Sequence, residues 1–126
     1  MKRNKIVVAF DSFKGACTSL EAGNAVLRGI LKRLPDAKVT VLSVGDGGEG
    51  TAFALGSSLG FKKQHFFVSD THGEPVLAEF YSSNDNTTAI FDMASCSGIS
   101  LAKAHRLDIL HASTAGVGQM IRHLVG

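Results

Sequence analysis

The sequence predicts an α/β fold built on a parallel sheet. Short apolar runs rich in β-branched residues alternate with segments whose apolar residues recur at a helical period, so residues 5–69 follow the order β-α-β-α-β. Strands joined through helices in this way pair in parallel, with right-handed crossovers. After Ser69 the strand-like runs are closely spaced and predict an antiparallel hairpin. We therefore expect a first lobe over residues 1–69 and the incomplete beginning of a second α/β lobe over residues 70–126.

The first elements have clear local signals. Residues 6–10, IVVAF, form a continuous apolar run of the kind found in strands that are buried on both faces. Thr18 and Glu21 have the spacing of a capping box at the start of a helix. Lys32 and Arg33 near the end of this helix interact favourably with its dipole, and Pro35 ends the helix.

The remaining elements follow from turn residues and periodicity. A second strand is expected over 38–44 and a third over 64–69, with a short helix between them that is closed by Gly60. Beyond a turn at 71–75, two strand candidates flank a polar tetrapeptide. The other predicted elements are a helix over 51–59, strands over 76–82 and 87–93, a loop or short helix over 95–104, and a helix over 113–125 with Ser113 as N-cap.

Composition excludes several classes of partner. The formal net charge of +2 is small and its cations are scattered, so we expect no nucleic-acid partner. The apolar run behind the basic N-terminus is too short for a signal peptide, and no segment approaches the roughly 18 apolar residues of a membrane span. Cys17 and Cys96 lack metal-ligand spacing and are interpreted as reduced thiols. We expect a cytoplasmic protein with no membrane partner.

Two glycine-bearing loops are the candidate site. Residues 11–15 follow the first strand, and residues 45–51 follow the second. In a parallel sheet both loops leave from the same edge, where ligands of open α/β sheets bind. In the first loop, Lys14 can meet a phosphate as a point charge, Ser12 can hydrogen-bond to a phosphate oxygen, and Gly15 lets the backbone come close.

The acids of these loops indicate a metal or a reacting hydroxyl. Asp46 and Glu49 would repel a phosphate unless a divalent cation, a lysine or a substrate hydroxyl lies between them. Mg²⁺ held by one or two carboxylates and phosphate oxygens resolves the conflict; alternatively, a carboxylate accepts a proton from an attacking hydroxyl. Asp11 either orients Lys14 or holds a metal through water. Glycine amides before a helix bind anions, which gives the phosphate-binding candidates Gly47, Gly48, Glu49, Gly50 and Thr51.

Other features allow two interpretations each. Residues 45–50 match the dinucleotide fingerprint G-x-G-x-x-G, with Asp70 about twenty residues on, although acids inside that turn are badly placed for pyrophosphate. Asp92 is either a site residue or a strand-end cap, and residues 113–118 are either an anion-binding helix start or a plain N-cap. The histidines lack metal-ligand spacing and are expected to be structural or solvated: His65, His72, His105, His111 and His123.

Several segments together resemble the type I glycerate kinases. Residues 9–15, AFDSFKG, are similar to that family's opening APDSFKG, and residues 44–51, VGDGGEGT, resemble its ADGGEGT. Three further stretches are similar to its GxLGEPV turn, its EMAxASGL segment and its TS(S/T)YGxGE stretch: residues 72–76, 92–99 and 113–118. The segments occur in the family's order and at its spacing, over nearly all of the chain.

The resemblance implies transfer of a phosphoryl group from ATP to a hydroxyl of D-glycerate, with Mg²⁺. It also implies a two-lobed α/β protein with one Rossmann- or flavodoxin-like lobe and the active site in the cleft between the lobes. Lys14 and Asp46 are the implied catalytic residues, and Asp46 and Glu49 the implied metal ligands. Family members are much longer, so the match is to their N-terminal portion, and we expect a missing C-terminal portion or a homodimer to complete the cleft.

The chain departs from the family's pattern at four positions. Phe10 replaces a proline, Asp92 a glutamate, Ala115 a tyrosine and Gln119 a glutamate. The last two lie near the implied site. Two other hypotheses therefore stay open: a non-catalytic fragment or degenerate paralogue, and a dinucleotide-binding module.

Overall fold

The computed structural model confirms the α/β class and describes residues 4–101 and 108–126. The chain divides into two compact units, Met1–Asp46 and Gly47–Gly126. We call them unit 1 and unit 2 and describe each by itself. None of the helices in the described residues is long and apolar enough to cross a membrane.

Unit 1 is a β-α-β unit with a parallel strand pair, as predicted. The two strands align without offset, from Lys5 opposite Lys38 to Phe10 opposite Ser43. The helix packs on both strands, and Gly23 lies so close to Val41 that no Cβ would fit between them. The elements of unit 1 are β1 (Lys5–Phe10), α1 (Ser19–Arg33) and β2 (Lys38–Ser43).

The start of α1 confirms the predicted capping box. The amide of Glu21 donates to Oγ1 of Thr18 over 3.2 Å, and the Thr18 amide donates to Oε2 of Glu21 over 2.8 Å. Two amides that the first helical turn leaves without a backbone partner are thereby satisfied. The local sequence alone therefore defines where this helix begins.

The prediction that β1 is buried on both faces is wrong for unit 1. Only Val8 of this strand is buried, and Val7 on the opposite face is 65% exposed. Leu42 on β2 is 49% exposed. The reason is that α1 covers only one face of the two-stranded sheet within unit 1. The apolar side chains on the other face of the strands are therefore exposed.

Unit 2 contains an antiparallel sheet in the order β3-β4-β5. The third strand was expected to join the parallel sheet, and this expectation is wrong. Its partner is the next strand along the chain, which pairs with it over its full length, from Lys62 opposite Ser82 to Ser69 opposite Pro75. A turn of only five residues connects the two strands, which favours a hairpin over a crossover. The elements of unit 2 are α2 (Thr51–Leu59), β3 (Lys62–Ser69), β4 (Pro75–Ser82), β5 (Ala89–Ile90), α3 (Met93–Ser97) and α4 (Ala115–Val125).

Both turns of this sheet are stabilised by aspartates. Oδ1 of Asp70 accepts from the amides of His72 and Glu74, which shapes the predicted turn between β3 and β4. The predicted hairpin of β4 and β5 is confirmed, with a shorter second strand of two residues. Asp85 in its loop accepts from the hydroxyls of Ser83 and Thr87, and these bonds, that from Ser83 above all, hold the pKa of Asp85 below its ordinary value.

The core of unit 2 lies between the sheet and helices α3 and α4. Its buried members are Val68, Ala78, Phe80, Cys96 and Met120. Cys96 and Cys17 are both free thiols, as expected. On the other face of the sheet, α2 packs on β4 at Gly56, where a Cβ would clash with the ring of Tyr81.

The predicted lobes and part of the segment before α4 are not tested by the described residues. The predicted division into lobes over 1–69 and 70–126 stays a prediction about the longer protein. His105 and the end of the segment 95–104 lie outside the described residues.

Candidate functional site

The loop after β1 is a tight turn that presents Lys14 to solvent. The amide of Ala16 donates to the carbonyl of Phe13 over 2.8 Å, and Phe13 and Cys17 pair as an isolated bridge. Gly15 has φ of +76°, a backbone conformation that side-chain-bearing residues rarely adopt. The glycine therefore closes the turn that leaves Lys14 exposed at its tip.

The two predicted loops start from one edge of the parallel pair. The amide of Val44, just beyond β2, donates to the carbonyl of Phe10 at the end of β1 over 3.1 Å. Asp11 and the first residues of the glycine-rich loop, Gly45 and Asp46, therefore leave unit 1 from neighbouring strand ends. At this edge Oδ1 of Asp11 accepts from the amide of Ser12 over 2.7 Å.

The glycine-rich loop continues into unit 2, where its residues form hydrogen bonds with one another. The amide of Gly47 donates to Oγ1 of Thr51 over 3.0 Å, and the amide of Thr51 donates to the carbonyl of Gly48 over 3.2 Å. Gly47 and Gly50 have φ of +97° and +90°. The glycines are required here because both conformations are strained for any other residue. Glu49 lies exposed on this loop.

A carboxylate from a distant part of unit 2 caps the helix that follows. Oδ2 of Asp92 accepts from the amide of Gly50 over 2.8 Å, and Oδ1 accepts from the amide of Ala52 over 2.9 Å. The N-cap residue of α2, Gly50, has no side chain to do this. Asp92 therefore satisfies the amides at the N-terminus of α2, so it caps a distant helix rather than the end of its own strand, and a role as a site residue stays a prediction.

These bonds bear on the predicted phosphate site. The amides of Gly47 and Gly50 already donate to side chains of unit 2. Phosphate binding by Gly47, Gly48, Glu49, Gly50 and Thr51 thus stays a prediction, and it would require an anion to displace or supplement these acceptors.

The predicted metal ligands are carboxylates of the kind that Mg²⁺ prefers. Among the described residues no group of three or more His, Cys, Asp or Glu side chains is placed to hold a metal. A magnesium site of one or two carboxylates completed by phosphate oxygens does not need such a group. Asp46 and Glu49 are therefore compatible with the metal and remain predicted ligands.

The dinucleotide hypothesis loses its structural context. That fingerprint requires a turn inside a parallel β-α-β unit, whereas β3 pairs only with β4, in antiparallel orientation, within the part of the chain that the structure describes. Asp70, the expected ribose-binding acid, shapes the turn after β3 instead.

A cleft that the sequence did not predict lies beside α4 in unit 2. It has a volume of about 730 Å³, and its wall on β3 is formed by Phe66 and Phe67. The rest of the wall comes from one side of the helix, namely Ala115, Gly118, Gln119, Arg122 and His123. The sequence signal for this surface was the pair Phe66-Phe67. Because neighbouring residues of a strand point to opposite faces of the sheet, only one of the two rings can enter the core.

The helix α4 is fixed against β3 at the mouth of this cleft. Oε1 of Gln119 accepts from the amide of Ser69 over 2.7 Å, and its Nε2 donates to Oγ of Ser69 over 3.1 Å. Gly116 contacts the carbonyl oxygen of Ser69 directly. The predicted N-cap is displaced by one residue, since Thr114 holds the N-cap position and Ser113 Oγ accepts from the amide of Ala115 over 3.1 Å.

The histidines of unit 2 are structural or solvated, as far as they are described. His123 stacks on Phe66, with 3.6 Å between ring centroids. Nδ1 of His111 lies 2.6 Å from a carboxylate oxygen of Asp108, and this bond holds the pKa of Asp108 below its ordinary value. Nδ1 of His72 bonds to the Thr71 hydroxyl.

Comparisons with known proteins agree with the motifs. The chain is 36% identical over 117 residues to "Glycerate 2-kinase" of Escherichia coli K12, covering 93% of this chain and 31% of that protein. It is 38% identical over 117 residues to "Glycerate kinase" of Bacillus subtilis 168, again covering 93% and 31%. The chain thus spans about a third of the length of these relatives.

A solved structure shows the same relationship. A crystal structure of a protein from Salmonella typhimurium LT2, assigned as a glycerate kinase 2, matches with a TM-score of 0.72 and 34% identity, over 97% of this chain and 33% of that one. The model of the glycerate kinase family matches residues 6–126. The chain therefore belongs to the glycerate kinase family.

Proposed function

We propose that this chain is the N-terminal part of a kinase that transfers a phosphoryl group from ATP to D-glycerate with the help of Mg²⁺. The observation that carries the proposal is the common edge at which β1 and β2 end, because Lys14 and Asp46 stand on the two loops that leave it. Family membership and the printed names of the relatives support the reaction class. The lobes over 1–69 and 70–126 belong to the same proposal.

Lys14 is the proposed phosphate contact. It is exposed at the tip of a tight turn and carries a compact positive charge, which suits a phosphate oxygen. Ser12 and the backbone at Gly15 would add hydrogen bonds from the same turn. Asp11 would hold this turn in shape, since it already accepts from the amide of Ser12.

The acids of the glycine-rich loop are the proposed metal and hydroxyl contacts. Two of its amides already donate to side chains within unit 2, so the proposal assigns the ligand contacts to its carboxylates. Asp46 and Glu49 would hold Mg²⁺, and Asp46 would in addition orient the attacking hydroxyl. Bound Mg²⁺ neutralises charge on the phosphates during transfer.

Two further statements complete the proposal. The acceptor site would be closed by the C-terminal portion of the longer protein or by a second copy of the chain. A cytoplasmic location is in keeping with the free thiols Cys17 and Cys96, since thiols stay reduced in that compartment.

The test is phosphoryl transfer by the whole protein that contains this chain. ADP release is measured with ATP, Mg²⁺ and D-glycerate for the parent, Lys14→Gln and Asp46→Asn. Loss of a charge that stabilises the transferred group lowers kcat/KM by about 10²- to 10³-fold. Lys32→Gln, an exposed lysine in the last turn of α1, is the matched control and should keep full activity.

The outcomes separate the remaining hypotheses. Full activity of Lys14→Gln and Asp46→Asn would remove both residues from the site. No turnover by the parent with any small hydroxy acid would favour a non-catalytic paralogue instead.

A further inference from the structure

One side of β3 has no neighbouring strand within the part of the chain that the structure describes. The sheet of unit 2 has the order β3-β4-β5, so β3 lies at its edge. We call the side of β3 that faces away from β4 the open edge. A strand in this position presents backbone N–H and C=O groups that can pair with a further strand.

The contacts of Ser69 show which backbone groups point to the open edge. Its amide donates to Oε1 of Gln119, and its carbonyl oxygen meets Gly116, so both groups face α4 rather than β4. Its partner in the ladder is Pro75, which has no N–H to donate. Ser69 and Pro75 therefore form a pair without ladder hydrogen bonds, and the backbone groups of Ser69 point outward.

The groups that stay open follow from the alternation of the ladder. In an antiparallel pair, residues with outward-facing backbone groups alternate with residues that bond to the partner strand. At the alternate positions before Ser69, the N–H and C=O groups of Phe67 and His65 therefore point to the open edge. Phe66 packs on His123 of α4, so the ring of Phe67 lies on the opposite face of the sheet. What Phe67 presents to the cleft is its backbone.

The cleft beside α4 follows this open edge. Gln119 lies at Ser69 and His123 at Phe66, so α4 runs back along β3. Arg122 is an exposed cation on the same stretch of helix and lines the cleft. Among the described residues that line the cleft none is acidic. The cleft, with a volume of about 730 Å³, therefore offers a strand edge and a positive charge side by side.

We propose that the open edge of β3 binds an extended acidic segment of a partner protein as an additional strand. Main-chain hydrogen bonds to Phe67 and His65 hold the segment, and one of its carboxylates pairs with the guanidinium of Arg122. Charge selects this occupant over a second copy of the chain. Self-pairing would bring Arg122 and Lys62 of both copies to one interface without an acid from either cleft, and like charges disfavour such contacts.

The test follows backbone amide signals of the ¹⁵N-labelled chain by NMR. The probe is a blocked pentapeptide of alternating threonine and valine with glutamate at its centre, because threonine and valine favour strands. It should shift the amide signals of Phe67 and His65 and slow their exchange with solvent hydrogen. Two altered peptides, one with lysine for glutamate and one with N-methylated backbone amides, should bind about tenfold more weakly. The first places a cation at Arg122, and the second cannot donate to the strand edge.

Four variants assign the contacts. Arg122→Gln should weaken the glutamate peptide about tenfold, the loss of one charge-assisted contact, and should not weaken the lysine peptide. Phe67→Pro removes the outward N–H, which edge strands tolerate, and should also weaken binding. Phe67→Leu changes only a side chain on the other face of the sheet and should bind like the parent. Arg28→Gln, an exposed arginine on α1, is the control. The dispersion of each spectrum shows whether the variant is folded; should Phe67→Pro unfold, Arg122→Gln and the N-methylated peptide decide.

Several results would overturn the proposal. Equal binding of the N-methylated and unmodified peptides would show that no strand is added, and equal affinity of Arg122→Gln and the parent would remove the charge contact. Slow exchange at Phe67 and His65 without peptide, together with a dimer in sedimentation, would assign the edge to a second copy. The same slow exchange in a monomer, or in the whole protein that contains this chain, would assign the edge to the protein's own chain. Loss of phosphoryl transfer would leave the proposal standing, because Lys14 and Asp46 take no part in it.

Discussion

Removing the carboxylate of Asp92 tests how the glycine-rich loop is held. This side chain accepts from the amides of Gly50 and Ala52, which precede it by 42 and 40 residues in the sequence. It therefore connects the start of α2 to a distant segment of the chain. Both bonds are partly buried. Asp92→Ala leaves two amides at the start of α2 without an acceptor.

The expected loss follows from these two bonds. Hydrogen bonds to charged groups contribute about 1.5–3 kcal/mol each, and loss of a helix cap costs about 0.5–2 kcal/mol. Because water can reach the partly exposed amides in the variant, we expect a total near the lower end, about 2–3 kcal/mol for Asp92→Ala. Asp92→Asn keeps one oxygen acceptor and should lose about half as much.

The assay is urea unfolding followed by circular dichroism, together with thermal unfolding. For a domain of this size each 1 kcal/mol lowers Tm by about 4–8 °C, so the alanine variant should melt about 8–24 °C lower. Asp36→Ala, which replaces an exposed acid, is the control and should stay within about 0.5 kcal/mol of the parent. Asp92→Glu restores the residue of the resembling family and should recover most of the stability.

Equal stability of the alanine variant and the control would count against the cap. If Asp92→Ala and Asp36→Ala unfold at the same urea concentration with the same slope, the amides of Gly50 and Ala52 are satisfied without Asp92. The capping role would then be dismissed.

Further predictions concern packing, thiol reactivity and pH. Gly116→Ala would drive a Cβ into the carbonyl oxygen at the end of β3 and should lower the free energy of unfolding by about 1–3 kcal/mol. In Gly118→Ala the new Cβ meets open space, and the free energy of unfolding should rise by about 0.5–1 kcal/mol. Urea unfolding compares the two variants, and equal stabilities would contradict the close contact at Gly116. Burial raises the pKa of the Cys96 thiol, so a thiol reagent at neutral pH should modify Cys17 first and Cys96 only as the chain unfolds; simultaneous modification would count against its burial. Hydrogen bonds from the backbone and the hydroxyl of Thr18 hold the pKa of Glu21 below its ordinary value of 4.5. The stability that these bonds contribute is therefore fully present above pH 4.5 and is lost as the pH falls through the lower pKa of the folded state. Glu21→Gln should flatten the acid side of the stability–pH curve, and an unchanged curve would speak against the capping box.

Features encoded by neighbouring residues could be predicted from the sequence. The helix α2 occupies the predicted residues, because Gly50 and Gly60 both take left-handed conformations at its ends. The capping box of α1 was equally local. The common edge of β1 and β2 followed from their parallel order.

Features that depend on distant pairing could not be predicted. An apolar run such as that of β3 fits a parallel or an antiparallel sheet equally well, and only its pairing with β4 decides between them. The cap by Asp92 likewise depends on how β5 and α2 pack. The cleft requires α4 to pack against the edge strand, which no local pattern reports.

The bare face of the β1–β2 pair has a consequence for dynamics. Isolated two-stranded sheets are marginally stable, and over residues 4–46 only Val8, Ser19 and Gly23 are buried. Unit 1 should therefore open locally at a lower free energy than unit 2, and its amides should exchange with solvent hydrogen sooner. Since Lys14 and Asp46 belong to unit 1, the proposed phosphate and metal contacts stand on the segment that opens first, and ligand binding there would slow that exchange.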